Sequence, residues 1–227
     1  MLQEYTGYRS LALPKVLDFL RLPLEGEDLY EFGVASGKSM VEIINCLKDK
    51  KLSFNCFHGF DSFIGMPQCS VEPLWQGEWA EGNFNSQEMY GCSSVESTIE
   101  YLTENISPCL YEDTQLLKFI PGFYKDSLPL VDVESLRPAA IIDIDCDLYS
   151  STYEVLDFMA KNRLIKEGTI LIYDDWGGSP GFETHSDGES KAHKEICEKY
   201  GIDAQLLLSV GNSFPHVHTF FVVRSIS

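Results

Sequence analysis

The sequence predicts an open α/β fold: a mostly parallel sheet with helices on both faces and an antiparallel strand near the C-terminus. Three observations predict it. Strand-like apolar runs alternate with helix-period segments along the chain. Two runs, Ala139–Asp145 and Gly168–Tyr173, are continuously apolar and end in acids, as suits central parallel strands. A third, Leu29–Gly33, runs directly into a glycine turn, after which Met40, Ile43, Ile44 and Leu47 recur at helical spacing.

Taken in order, residues 11–24 mix apolar and basic positions around Pro14 and Pro23 and read as a short leading helix. Leu29–Gly33 and Asn55–Phe60 read as the first two strands, with a helix between them. Residues 62–95 hold Trp75, Trp79, Phe84 and Tyr90 but show weak periodicity. So long a connection is a lid or binding loop, or conceals a helix. Leu116–Ile120 is the third strand and Ala139–Asp145 the fourth. Ser151-Thr152-Tyr153-Glu154 matches a capping box that opens a helix. Gly168–Tyr173 follows as a strand, and Glu189–Tyr200 is a helix closed by Gly201. Leu206–Val210 and Thr219–Val223 end the chain as an antiparallel pair.

The 227 residues suit one domain, with a leading helical segment over 1–28 and a substrate insertion over about 62–95. The net charge of −18 repels phosphate backbones and anionic lipid, which argues against nucleic acid or membrane as partner. The seven cysteines are odd in number and form no C-x-x-C pair, so reduced thiols in a cytoplasmic protein are expected. No signal-peptide pattern or membrane-length apolar stretch is visible.

The segment Tyr30–Gly37 carries Glu-x-Gly-x-x-x-Gly at a strand end. Gly33 permits a sharp turn, Gly37 permits close backbone approach, and the next helix offers free N–H groups. The dinucleotide fingerprint is absent, since position 35 is Ala and 38 is Lys. A phosphate loop needs four residues between its glycines; Lys38-Ser39 follow Gly37, but only three intervene. An S-adenosylmethionine (SAM) loop accounts for Glu31, whose carboxylate accepts from an ammonium and would repel a triphosphate. A plain glycine turn also remains open. Asp61 ends the second strand, where nucleoside-binding folds place an acid on ribose hydroxyls; the alternative there is a turn cap.

Asp143, Asp145 and Asp147 alternate at one strand end, and Asp174-Asp175 end the next. In a parallel sheet these tips lie close together, and so many carboxylates cannot all ionise without a cation among them. Hard oxygen donors without a Cys/His set favour Mg²⁺, Mn²⁺ or Ca²⁺ over zinc. The alternative is that some of these acids cap helices and face water, Asp147 above all.

The stretches YEFGVASGKS (30–39), GFDSFIGMP (59–67), PGFYKDSLP (121–129), DIDCDLYSSTYEVL (143–156), GTILIYDDW (168–176) and ESKA (189–192) together resemble the macrocin O-methyltransferase family. The resemblance implies a Rossmann-like class I methyltransferase fold and SAM-dependent, metal-assisted O-methylation of a small-molecule hydroxyl, of sugar or phenolic type. It implies Asp145, Asp174 and Asp175 as metal ligands and Asp147 as general base beside Asp145. It implies cofactor contacts from Glu31, Gly33, Ser39 and Asp61, extended here to Ser36, Gly37 and Ser62, and puts Gly122 and Phe123 at the adenine edge. It also suggests a homodimer. Asp143 stands where many relatives carry His, and Asp174-Asp175 where many carry Asp-Glu. A phosphate-loop NTPase, a non-catalytic SAM-binding module and N-methylation remain alternatives. His58, His216 and His218 read as packing residues, and Cys146 as packing on the opposite face of its strand. His185, Trp75, Trp79 and Phe84 are candidate substrate contacts.

Overall fold

The computed structural model describes residues 7–20, 26–68, 80–176, 188–211 and 217–227. Among these residues seven strands form one sheet: β1 (Asp28–Phe32), β2 (Cys56–Asp61), β3 (Leu116–Pro121), β4 (Ala139–Ile144), β5 (Ile170–Tyr173), β6 (Ile202–Val210) and β7 (His218–Ile226). Their order is β3-β2-β1-β4-β5-β7-β6, and only β7 pairs antiparallel with its neighbours. Chain order reverses between β1 and β4, and ligands of open α/β sheets bind outside the carboxyl ends of the strands at such a switch point.

Strand alternation assigns each residue to a face. Leu29, Phe57, Ile141, Ile170 and Ile172 pack on one face with α1 (Tyr8–Leu20), α2 (Lys38–Lys50) and α4 (Val95–Ile106). Tyr30, Phe32, Phe60, Ile142, Ile144 and Tyr173 pack on the other with α6 (Tyr149–Lys161) and α7 (Gly188–Tyr200). β4 is buried at every position, as its unbroken apolar run requires.

Two elements differ from the sequence reading. The 62–95 connection contains α3 (Ser86–Tyr90), capped by Asn85, and leads into α4, capped by Ser94 with Ser97. In α4 only Thr98, Leu102 and Ile106 are buried, too sparse a stripe to stand out among polar residues. The second difference concerns α6, which starts at Tyr149 from an N-cap Leu148 with no side-chain cap. Ser151 and Thr152 are buried inside it rather than capping it. The cause lies just upstream: Asp147 adopts φ 59°, turning the chain sharply off β4 so that the helix begins three residues earlier. A short helix, α5 (Tyr124–Ser127), follows β3. Among the described residues no helix is long and apolar enough to cross a membrane.

Candidate active site

The switch point is built as a staircase of strand tips. Backbone bonds continue the ladder past the strand ends: Gly33 N–H to Phe60 O (2.9 Å), Asp145 N–H to Phe32 O (2.8 Å), Asp174 N–H to Ile144 O (3.1 Å) and Gly122 N–H to Asp61 O (2.9 Å). The glycine loop and both acidic tips are therefore neighbours, as the parallel register of β4 and β5 requires. A Cβ on Gly33, at φ 93°, would lie 1.8 Å from the Asp145 carbonyl oxygen.

A cavity of about 390 Å³ opens here. Gly33, Asp61, Ser62, Gly122 and Phe123 line one part of it, and Asp145, Asp147, Asp174 and Asp175 another. Ser36 and Ser39 lie instead in an adjoining cavity of about 500 Å³, which shares Ala35, Phe84, Asp145 and Asp174 with the first. Glu31 is fully buried behind that second cavity; it accepts from the Ser39 hydroxyl at 2.6 Å, and its Oε2 has no hydrogen-bond partner among the described residues. Gly37 lines neither cavity. Its Cα approaches α4, where a Cβ would meet Ile106 Cδ1 at 2.7 Å, so this glycine serves helix packing.

Asp61 is a loop cap. Its Oδ2 accepts from the N–H groups of Val34 and Ala35, both at 2.8 Å, and its Oδ1 from Phe63 N–H at 2.6 Å. It also faces the larger group of candidate cofactor residues, so the cap and cavity roles coincide. The same bonds speak against a phosphate loop: two loop donors are already taken, by a carboxylate that would repel a phosphate.

The acidic centre is more crowded than the sequence indicates. Asp143 and Glu31 project to the face covered by α1, and α1 brings Arg9 over that face, in contact with Asp143 and close enough to Glu31 to act on its charge. The Arg9 Nε donates to Asp143 Oδ2 at 2.6 Å, Nη2 to Asp145 Oδ2 at 3.2 Å, and Nη1 lies 2.9 Å from Asp174 Oδ1. His218, at the start of β7, places Nδ1 2.6 Å from the same Asp174 oxygen, and its ring lies 4.6 Å from that of Tyr8, tilted by 32°. Glu189, from α7, is fully buried and accepts from the N–H groups of Asp175 (3.0 Å) and Cys146 (3.3 Å), tying the two acidic tips together. Arg9, Glu189 and His218 went unassigned or were read as packing in the sequence. Glu189 at least lies within the quoted ESKA stretch; nothing local marks Arg9.

Two of the three expected metal ligands, Asp145 and Asp174, are thus engaged by a guanidinium. Among the described residues no three His, Cys, Asp or Glu side chains converge as a metal-holding group. The residues in this arrangement do not fit the expected metal site.

The expectations for His58 and Cys146 stand as read. His58 is a satisfied core histidine, 2.9 Å from Asp28. Cys146 packs on the opposite face, with Sγ 3.5 Å from Phe32 O. Phe84 is half exposed at the mouth of both cavities. Trp75, Trp79, His185 and His216 lie outside the described residues.

Burial pushes the carboxyls of Asp145, Asp147 and Glu189 well above the usual range. Asp174 adds to the rise at Asp145, and Asp175 adds to it at Asp147 and Glu189. A carboxyl raised toward neutrality is better matched to accept a proton during a reaction at neutral pH. The shifts also set a stability profile. The folded chain holds these protons at a higher pH than the unfolded one does. Stability is therefore full below about pH 4, where unfolded carboxyls titrate, and declines as pH rises through the folded values. Thermal unfolding of the ligand-free chain in chelator should give a higher Tm at pH 5.5 than at pH 7.5; a flat or reversed trend contradicts the assignment.

Sheet order, glycine loop and cofactor-sized cavity define a class I methyltransferase fold. Solved structures agree: the O-methyltransferase NovP aligns with a TM-score of 0.58 at 22% identity, covering 93% of this chain and 80% of its own. The calicheamicin methyltransferase CalS11 aligns with a TM-score of 0.59 at 18% identity, covering 95% and 80%. The chain belongs to the macrocin-O-methyltransferase (TylF) family, whose description matches residues 21–203. It is 28% identical over 149 residues to the 8-demethyl-8-(2,3-dimethoxy-alpha-L-rhamnosyl)-tetracenomycin-C 4'-O-methyltransferase of Streptomyces olivaceus. It is 25% identical over 172 residues to the demethyldecarbamoylnovobiocin O-methyltransferase of Streptomyces niveus. These alignments take in 66% and 76% of this chain but only 52% and 61% of those relatives.

Proposed function

We propose that the chain transfers a methyl group from SAM to a hydroxyl of a sugar-bearing small molecule. The observation that carries this is the single cavity in which Gly33, Asp61 and Gly122 face the acids Asp145 and Asp147. Family membership supports the donor, and the substrates in the names of the two Streptomyces relatives support the acceptor class.

In this reading Asp61 and Ser62 hold the ribose side of the donor and Gly122-Phe123 flank the adenine. Gly33 lets the backbone lie against it. Glu31 orients Ser39 at the other end of the glycine loop. Positioning supplies most of the rate, because displacement at a methyl carbon needs acceptor oxygen, carbon and sulfur in line. The acceptor oxygen bonds to the methyl carbon as the carbon–sulfur bond breaks. The sulfur keeps the electron pair, the donor leaves as S-adenosylhomocysteine, and Asp147 takes the hydroxyl proton. We read 62–95 as the acceptor lid, since Met66, Pro67, Gln68 and Phe84 reach the cavity wall.

A divalent cation such as Mg²⁺ would lower the pKa of an acceptor hydroxyl in such a centre. Hard oxygen donors in excess of positive charge support that finer reading; the engagement of Asp145 and Asp174 by Arg9 opposes it. No step is therefore routed through a metal.

Titration calorimetry with SAM and with ATP, followed by detection of S-adenosylhomocysteine over a panel of glycosides and phenols, tests the reading. SAM should bind and ATP should not, and a glycoside hydroxyl should be methylated. Binding of SAM with no transfer to any hydroxyl of the panel would leave a non-catalytic binding module as the better description.

A further inference from the structure

We propose that Arg9 is the resident cation of the acidic centre, taking at Asp145 and Asp174 the place that a divalent metal would otherwise fill. Arg9 precedes the stretch that the family description matches, residues 21–203. The residue is nonetheless buried, 7% exposed, and its guanidinium sits within 3.2 Å of carboxylate oxygens on two different strand tips and in β4 itself. These partners lie more than 130 residues away in sequence.

The geometry is placed by the fold. α1 packs on α2, and Ser10 anchors it there through its N–H (2.8 Å) and hydroxyl (2.9 Å), both donating to Glu42 Oε2. One residue earlier, Arg9 falls over the face carrying Glu31 and Asp143. A planar guanidinium has five donors in a fixed fork and stays charged, so it can bridge three carboxylates at once. Burying it without such partners would be prohibitive, so the acids and Arg9 hold each other in place. Asp145 and Asp174 also form the wall shared by the two cavities. Arg9 is thus a positioning residue: it fixes the acids that face the reacting groups and is itself set by the leading helix.

The test uses Mn²⁺ alone as probe, with binding read by electron paramagnetic resonance, so it needs neither SAM nor an acceptor. Its outcome is independent of whether methyl transfer to a sugar is observed. Removing the resident charge in Arg9→Met should raise Mn²⁺ affinity at least tenfold over the unsubstituted chain. Arg9→Lys, which keeps the charge but cannot bridge three carboxylates, should raise it two- to fivefold. The Lys variant decides the matter if the Met variant fails to fold. Mn²⁺ affinity in the folded variants equal to or below that of the unsubstituted chain overturns the proposal, as does Mn²⁺ binding by none of them.

Discussion

Gly33→Ala should abolish SAM binding and cost roughly 2–5 kcal/mol of stability, the sum of a strained left-handed backbone and a steric conflict. The conflict is with backbone: the new Cβ would lie 1.8 Å from the Asp145 carbonyl oxygen and 2.8 Å from its carbon. No rotamer change relieves that, so β1 and β4 must separate at their tips, where the cavity lies. Gly91→Ala is the matched control. Gly91 also has positive φ, 64°, but none of the described residues lies within 4 Å of a Cβ there, so it should lose only about 1–2 kcal/mol. Denaturant unfolding of both variants, with SAM calorimetry, separates strain from collision. Equal losses in the two would remove the argument for a close approach at Gly33.

Asp61→Ala is the second large effect. Three backbone donors, on Val34, Ala35 and Phe63, lose their acceptor together. Each unpaired buried donor costs on the order of 1–3 kcal/mol, and partial access to water brings the total to about 2–4 kcal/mol. The glycine loop loses its anchor to β2, and SAM affinity should fall at least a hundredfold. Asp61→Asn preserves one acceptor oxygen but turns an NH₂ group toward amide donors on the other side. It should therefore be intermediate in both measurements. A SAM affinity within fivefold of the parent in Asp61→Ala would show that the loop shape does not depend on this carboxylate.

Much of the site was legible because its parts are local. Glu31 to Ser39 is a strand end, turn and helix start within nine residues, and period and glycine spacing suffice to read it. Asp145 and Asp174 were legible as strand-end acids because unbroken apolar runs lead into them. What could not be read was local spacing without a local cause. The misplaced start of α6 came from the left-handed turn at Asp147, a conformation that aspartate adopts at modest cost and that no neighbouring residue announces. α4 escaped because its apolar stripe is thin and its capping box uses Ser97 where glutamate is the usual signal.

The sequence by itself determined the sheet, the loop and the presence of excess negative charge at two strand tips. It required a cation there and pointed to a divalent metal, Mg²⁺, Mn²⁺ or Ca²⁺. Only the tertiary structure decided that Arg9 lies among those acids, that His218 reaches Asp174 and that Glu189 ties the tips together. The physical reason is one of range. Strand and helix periodicities report which face a residue takes within its own element. A buried charge is neutralised by whatever element packs over that face, and here the packing joins residue 9 to residues 143, 145 and 174.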